Sequence, residues 1–234
     1  MAGGGGVTLN ASAIVRGDLR ARFATRKGIL VQGALGACVW LLGLLGTGPD
    51  RAGGESPLWV ASVGLLVVVG FVVTAAAGEE ISFPGYKGVQ DLAASPFSAS
   101  EVAWGKALSE GVFATVCTAA AWPALLFLHA LRAGAWQESV VQAAVVWAVS
   151  WGFAGFATWL TSAVESEVSR SVLLWGGILA VLAGAGLAGP WHPVQAVRPF
   201  APAWARALCA VVFLALGATS FWGVRRRIPR LKEA

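Results

Sequence analysis

Apolar residues in this chain come in long unbroken runs, not in the alternation of a half-buried strand. Six stretches hold about twenty or more mostly apolar residues each: Gly28–Gly48, Pro57–Gly78, Val102–Leu131, Ser139–Val164, Val168–Gly189 and Ala203–Val224. An α-helix needs about 20 such residues to cross a bilayer, and a helix satisfies its own backbone groups where no water can. The pattern therefore predicts an all-α membrane protein with six transmembrane helices over 28–224, joined by short polar loops. Ahead of them, residues 1–10 read as a flexible leader. Residues 11–27 set Ile14, Val15, Leu19 and Phe23 near helical spacing against Arg16, Asp18, Arg20, Arg22 and Arg26, which predicts an amphipathic helix lying in the membrane interface. Residues 225–234 form a basic tail.

Local features refine the bundle. Pro123 is expected to kink the third span. Small residues recur at GALGA from Gly33, SWGFAG around Gly152 and LAGAGLAG around Gly184, where helices can approach closely in lipid. Trp59, Trp104, Trp136, Trp191, Trp204 and Trp222 fall near span ends, at the headgroup level that indole rings favour. The stretch Gly189–Arg206 carries four prolines among Trp191, Val194, Val197 and Phe200. It cannot be one helix, and its apolar positions suit a broken, re-entrant element before the last span.

Composition agrees. The 234 residues are 57% hydrophobic and only 12% charged, with mean hydropathy +0.70, whereas a soluble domain carries about a quarter charged residues. The net charge of +5 follows membrane topology and does not mark a nucleic-acid surface, because the basic residues cluster beside span ends. Arg16, Arg20, Arg22, Arg26 and Lys27 precede the first span, Lys87 and Lys106 flank the second loop, and Arg225, Arg226, Arg227, Arg230 and Lys232 follow the last span. By the positive-inside rule both termini and the Gly78–Lys106 passage are cytoplasmic. No signal peptide is expected, and the mature chain is expected to begin at Met1 or Ala2. Cys38, Cys117 and Cys209 fall in three different spans, as buried thiols would, with no metal or disulfide spacing.

Candidate chemistry is sparse. His129 and His192 lie in separate regions, neither with a second ligand at metal spacing, and no GxxxxGK[ST] phosphate loop occurs. Span centres lack the acidic residues of an ion-coupled carrier. Glu110 is expected at the cytoplasmic interface, paired with Lys106 at i,i+4. A chain of this kind is not an enzyme and draws its energy from elsewhere.

The passage after the second span is where that source is read. Glu79 and Glu80 close the span, Gly85 and Gly88 follow, and LAASPFSASEVAWGK runs from Leu92 to Lys106. Asp91–Ala94 can form a helical turn that stops at Ser95, which Pro96 forces out of the α region. Ser98 or Ser100 can cap the next helix, with Glu101 in its first turn. This order resembles the cytoplasmic loop of ABC-2 type transporter permeases, in which an acidic pair and a Gly-Thr step lead into L-L-x-x-P-x-S-x-x-E-x-x-x-G-K. Here SFPGYKG stands in place of the charged-Gly-Thr step.

The resemblance implies a coupling helix resting on a separate P-loop ABC ATPase, which binds ATP and Mg; the chain itself carries no cofactor. The contact residues would be Gly88, Asp91, Leu92, Ser95, Pro96, Ser98, Glu101 and Lys106. Glu79 and Glu80 would tie the loop to the amphipathic helix through Arg20, Arg22 or Arg26. Trp191, Pro193, Pro199 and Phe200 would belong to the external re-entrant element. The expected protein is thus the permease subunit of an exporter in the cytoplasmic membrane, paired with a second copy or a homologous permease and in contact with lipid. A non-transporting scaffold is the alternative, and a secondary carrier a third reading.

Overall fold

In the computed structural model the chain is described over residues 4–45, 47, 57–79, 85, 87–131, 136–184, 189–198 and 201–233, with side chains from residue 11 onward. Among these residues the regular structure is entirely helical: α1 (Gly4–Phe23), α2 (Arg26–Leu45), α3 (Pro57–Ala77), α4 (Val89–Ala93), α5 (Ala99–Leu131), α6 (Trp136–Ala163), α7 (Glu167–Ala183), α8 (Pro193–Ala196) and α9 (Ala203–Glu233). Five of them, α2, α3, α5, α6 and α9, are long and apolar enough to cross a membrane. The fifth expected span, Val168–Gly189, corresponds to α7, which has 17 helical residues and is shorter than those five.

α6 is the centre of the bundle, packed against α3, α5 and α9. Apolar burial is no driving force between helices in lipid, so close backbone approach matters most. It occurs where small residues face each other. A Cβ on Gly155 would stand 2.8 Å from the Cα of Gly217, and one on Gly152 would stand 2.6 Å from the carbonyl oxygen of Phe213. Phe153 meets Phe213 edge-on beside them, with ring centroids 5.2 Å apart. The other two small-residue stretches behave differently. Gly33, Gly36 and Gly184 have open space where a Cβ would go, so these three glycines bring no neighbouring helix close. α5 runs through Pro123 without ending.

Helix boundaries near the N-terminus differ from expectation. α1 takes in Gly4–Asn10, read from sequence as leader, and ends at Phe23 instead of Lys27. A helix held by its later turns extends cheaply, one hydrogen bond per added residue. The break at residues 24–25 has a local cause. The Thr25 hydroxyl accepts from the Gly28 N–H at 3.1 Å and donates to the Ala21 carbonyl at 2.6 Å, which caps α2. A side chain on Gly28 would collide with the Arg22 carbonyl, so the corner needs glycine.

The helices share two polar ends. At one lie α1, α4, the start of α5, the end of α6 and the end of α9, joined by Lys232, which donates to the carbonyls of Ser95 (3.0 Å) and Phe97 (2.7 Å). At the other lie α8 and the starts of α3, α6 and α9. α5 has 33 residues, about 50 Å at 1.5 Å per residue. That exceeds a hydrocarbon core of about 30 Å, so its charged first turns have room to lie outside it.

Candidate functional site

The sequence-predicted site residues collect at the first of these ends. α4 is a single amphipathic turn. Its N-cap, Gly88, is extended and supplies no side-chain cap. Val89, Leu92 and Ala93 turn inward and pack with Ile14 of α1, Val102 of α5, and Val224 and Ile228 of α9. Asp91, Ala94 and Pro96 face outward, and Gln90, also exposed, turns its amide to the end of α6. The turn ends as Pro96 demands, with Ser95 N–H donating to the Leu92 carbonyl at 3.1 Å and the Ser95 hydroxyl bonding the same oxygen at 2.5 Å.

α5 then opens on a reciprocal capping box. The Glu101 N–H donates to Ser98 Oγ at 3.2 Å, and the Ser98 N–H donates to Glu101 Oε2 at 2.6 Å. Two orphan donors are thereby satisfied. Ser98, not Ser100, is the cap.

The expected contact residues differ in exposure. Asp91, Pro96 and Ser98 are exposed and Ser95 is half-buried, but Gly88, Leu92, Glu101 and Lys106 are buried. Those four are turned into the corner, against the chain itself. Leu92 is core, Glu101 closes the capping box, and Lys106 belongs to an internal ion-pair cluster.

That cluster is the main feature the sequence reading missed. Lys106 Nζ donates to Asp18 Oδ2 at 2.8 Å and to the Lys87 carbonyl at 2.6 Å, while Ser109 Oγ donates to the same Asp18 oxygen at 2.9 Å. One turn further on, Arg22 makes a bidentate pair with Glu110, at 2.9 and 2.5 Å, with both side chains fully buried. The Arg22 guanidinium also lies over the Phe113 ring, 4.6 Å from its centroid. Two cations and two anions make the set neutral.

The expected i,i+4 pair of Lys106 with Glu110 is therefore replaced by two pairs between α1 and α5. So is the expected tie from Glu79 to Arg20, Arg22 or Arg26: Arg22 faces Glu110, and Arg20 and Arg26 are exposed. Glu80 lies outside the described residues. The amphipathic reading of α1 is revised too, since its buried stripe includes Asp18 and Arg22 beside Ala11, Ile14 and Ala21. A signal was available. Asp18 and Arg22 stand four apart, as do Lys106 and Glu110, in complementary order, and both pairs span the same separation of 88 residues. Two helices running side by side in the same direction match such patterns turn for turn.

Close approach lets the pairs form. A Cβ on Gly105 would meet Ile14 at 2.9 Å, so glycine there seats α1 on α5. Glu79, just past α3, has φ +65° and lies against Gly88, whose Cβ would collide with its carboxylate. Burial raises the Glu79 carboxyl above its ordinary range and Asp91 adds to this; Lys106, Arg170 and the Val89 N–H pull the other way. The last carbonyls of α6 are also covered, by Gln90 Nε2 on Thr161 (3.1 Å) and by Arg227 on Ser162 (3.5 Å) and Ala163 (3.4 Å). Such end groups have no partner inside the helix.

At the opposite end α8 is held by its carbonyls. Trp59 Nε1 donates to Val194 (3.2 Å), Gln142 Nε2 to Val197 (2.9 Å), and Arg206 to Ala196 (3.2 Å) and Arg198 (2.9 Å). Arg206 also pairs with Glu138, and His129 bonds Gln142 at 3.0 Å. His192 caps α8, its Nδ1 accepting from the Val194 N–H at 3.3 Å while Nε2 donates to the Val181 carbonyl at 2.5 Å. Pro193 is the first residue of α8 and buried, Trp191 is exposed, and Pro199 and Phe200 lie outside the described residues. Of the cysteines, Cys117 and Cys209 are buried, but Cys38 is exposed, on the outer face of α2.

Fold and site together define a multi-pass helical membrane protein with a polar helical module locked onto one end of its bundle. No protein-family model matches the chain, and comparison with curated proteins gives no match.

Proposed function

We propose that this chain is the membrane-spanning subunit of an ABC-2 type exporter in a bacterial cytoplasmic membrane. In this reading α7 is the sixth span, α1 is the interfacial helix, α8 is the external re-entrant element, and both termini are cytoplasmic. α4 is the coupling helix, docked on a separate ATPase that binds ATP and Mg. Two permeases, identical or homologous, flank the substrate path. The chain does no chemistry of its own.

The observation that carries the reading is the α4–α5 corner. Its inner face is fixed to α1, α5 and α9, while Asp91, Ala94 and Pro96 stand outward. A push on that edge is delivered to α5, the longest of the described helices, because α4 packs directly against it. Closely packed interiors transmit such displacements well.

The test is affinity purification of the full chain from its native membranes, followed by assay of ATP hydrolysis and of ATP-driven export in vesicles. Co-purification of an ATPase, with Asp91→Arg lowering its recovery or uncoupling hydrolysis from export, is expected. A complex without any ATPase would favour the scaffold, and ion-gradient-driven flux without ATP would favour the carrier.

A further inference from the structure

The outer flank of α1 bears arginines that the ion-pair lock does not use. Arg16 and Arg20 are one turn apart and exposed, on the side of the helix away from Asp18 and Arg22. Beside them an open groove of about 1040 Å³ runs between α1 and α5. Its walls are Leu19 of α1 with Trp104, Leu108 and Val112 of α5, spaced four apart. Those three α5 side chains are 60%, 52% and 40% exposed. In a chain that crosses the membrane, such a face meets lipid, not water.

We propose that this groove holds one anionic phospholipid, an acyl chain lying along Leu19, Trp104, Leu108 and Val112 and the phosphate held between Arg16 and Arg20. Three features fit that occupant. The floor is apolar, and a volume of this size belongs with ligand-sized sites. The guanidinium groups stand on the rim with the planar donor geometry that suits phosphate oxygens. The groove also lies where the charged first turns of α5 give way to its apolar run, the depth at which headgroup and acyl chain meet. Charge complementarity selects an anionic lipid over a zwitterionic one. The proposal rests on the membrane-spanning class alone and stands or falls apart from the exporter reading. A lipid seated there bears on the outer flank of α1, while Asp18 and Arg22 hold its inner flank.

The experiment uses the full chain in detergent micelles, offered phosphatidylglycerol and phosphatidylcholine of identical acyl chains, with retained lipid counted by native mass spectrometry. Retention of one phosphatidylglycerol is expected, preferred by roughly tenfold or more. Arg16→Gln/Arg20→Gln reduces that preference to near parity, whereas Arg26→Gln/Lys27→Gln, which alters basic residues outside the groove, leaves it in place. Leu108→Trp, which fills the floor without touching charge, lowers retention of both lipids. Equal retention of the two lipids by the unaltered chain overturns the proposal. So does an unchanged preference in Arg16→Gln/Arg20→Gln, or a groove covered by a second copy, seen as a lipid-free dimer that Leu108→Trp dissociates.

Discussion

Removing one partner of the Arg22–Glu110 pair tests the central physical claim, that α1 is held to α5 by charges that are stable only as a set. Both side chains have zero exposure, and Asp18 with Lys106 completes a neutral cluster one turn away. Arg22→Met leaves one excess buried negative charge; Glu110→Leu leaves one excess positive charge. Each single change is expected to cost about 3–5 kcal/mol, the range for a broken buried pair. That is a large share of a typical stability of about 5–15 kcal/mol. The double variant Arg22→Met/Glu110→Leu restores neutrality with groups of similar volume and is expected within about 1 kcal/mol of the parent. Asp18–Lys106 is intact in every arm, so its own contribution cancels in the cycle. Unfolding by sodium dodecyl sulfate in mixed micelles, followed by fluorescence of the 12 tryptophans, measures all four proteins. Single variants that each lose less than about 1 kcal/mol and add without coupling would refute the claim.

Three further outcomes follow from the packing. Gly105→Ala forces Ile14 away from α5 and should cost about 1–3 kcal/mol, while Gly36→Ala, in open space, should gain up to about 1 kcal/mol from helix propensity; the same titration compares them. Arg206→Met removes the Glu138 pair and two donors to the α8 region, so amide exchange over Val194–Val197 should rise with α1 unaffected, at a cost of about 2–4 kcal/mol; equal exchange in the variant and the parent would count against that anchoring. Glu79 has a raised folded pKa, so its contribution is fully present below the ordinary glutamate pKa and is lost as pH rises through the folded value. Glu79→Gln should therefore be relatively more stable at pH 7 than at pH 4, and a parallel pH profile for the two proteins would contradict the buried-carboxyl assignment.

Much of the fold was legible in the chain. Continuous apolar runs mark helices because lipid offers no partner for open backbone groups, and the five long apolar helices fall where those runs do. A serine cap at Ser98 or Ser100 and the stop at Ser95–Pro96 were legible too, since caps and proline act over a few residues; the reciprocal bond with Glu101 that selects Ser98 was not. Partner choice was not. Local spacing pairs Lys106 with Glu110, but both ends of that pair bond residues 88 positions away. Likewise GALGA and SWGFAG look alike as sequence, yet only the second meets another backbone.

By itself, then, the sequence determined the all-helical, membrane-crossing character of this protein and the stop at Ser95–Pro96, because bilayer thickness and backbone hydrogen bonding act within one segment. Tertiary structure alone decided which charges neutralise one another, which glycines are needed, and which residues of the α4–α5 corner face outward. Those outcomes depend on which helix lies alongside which, and a buried charge or a missing Cβ acquires its meaning only from the neighbour that packing brings to it.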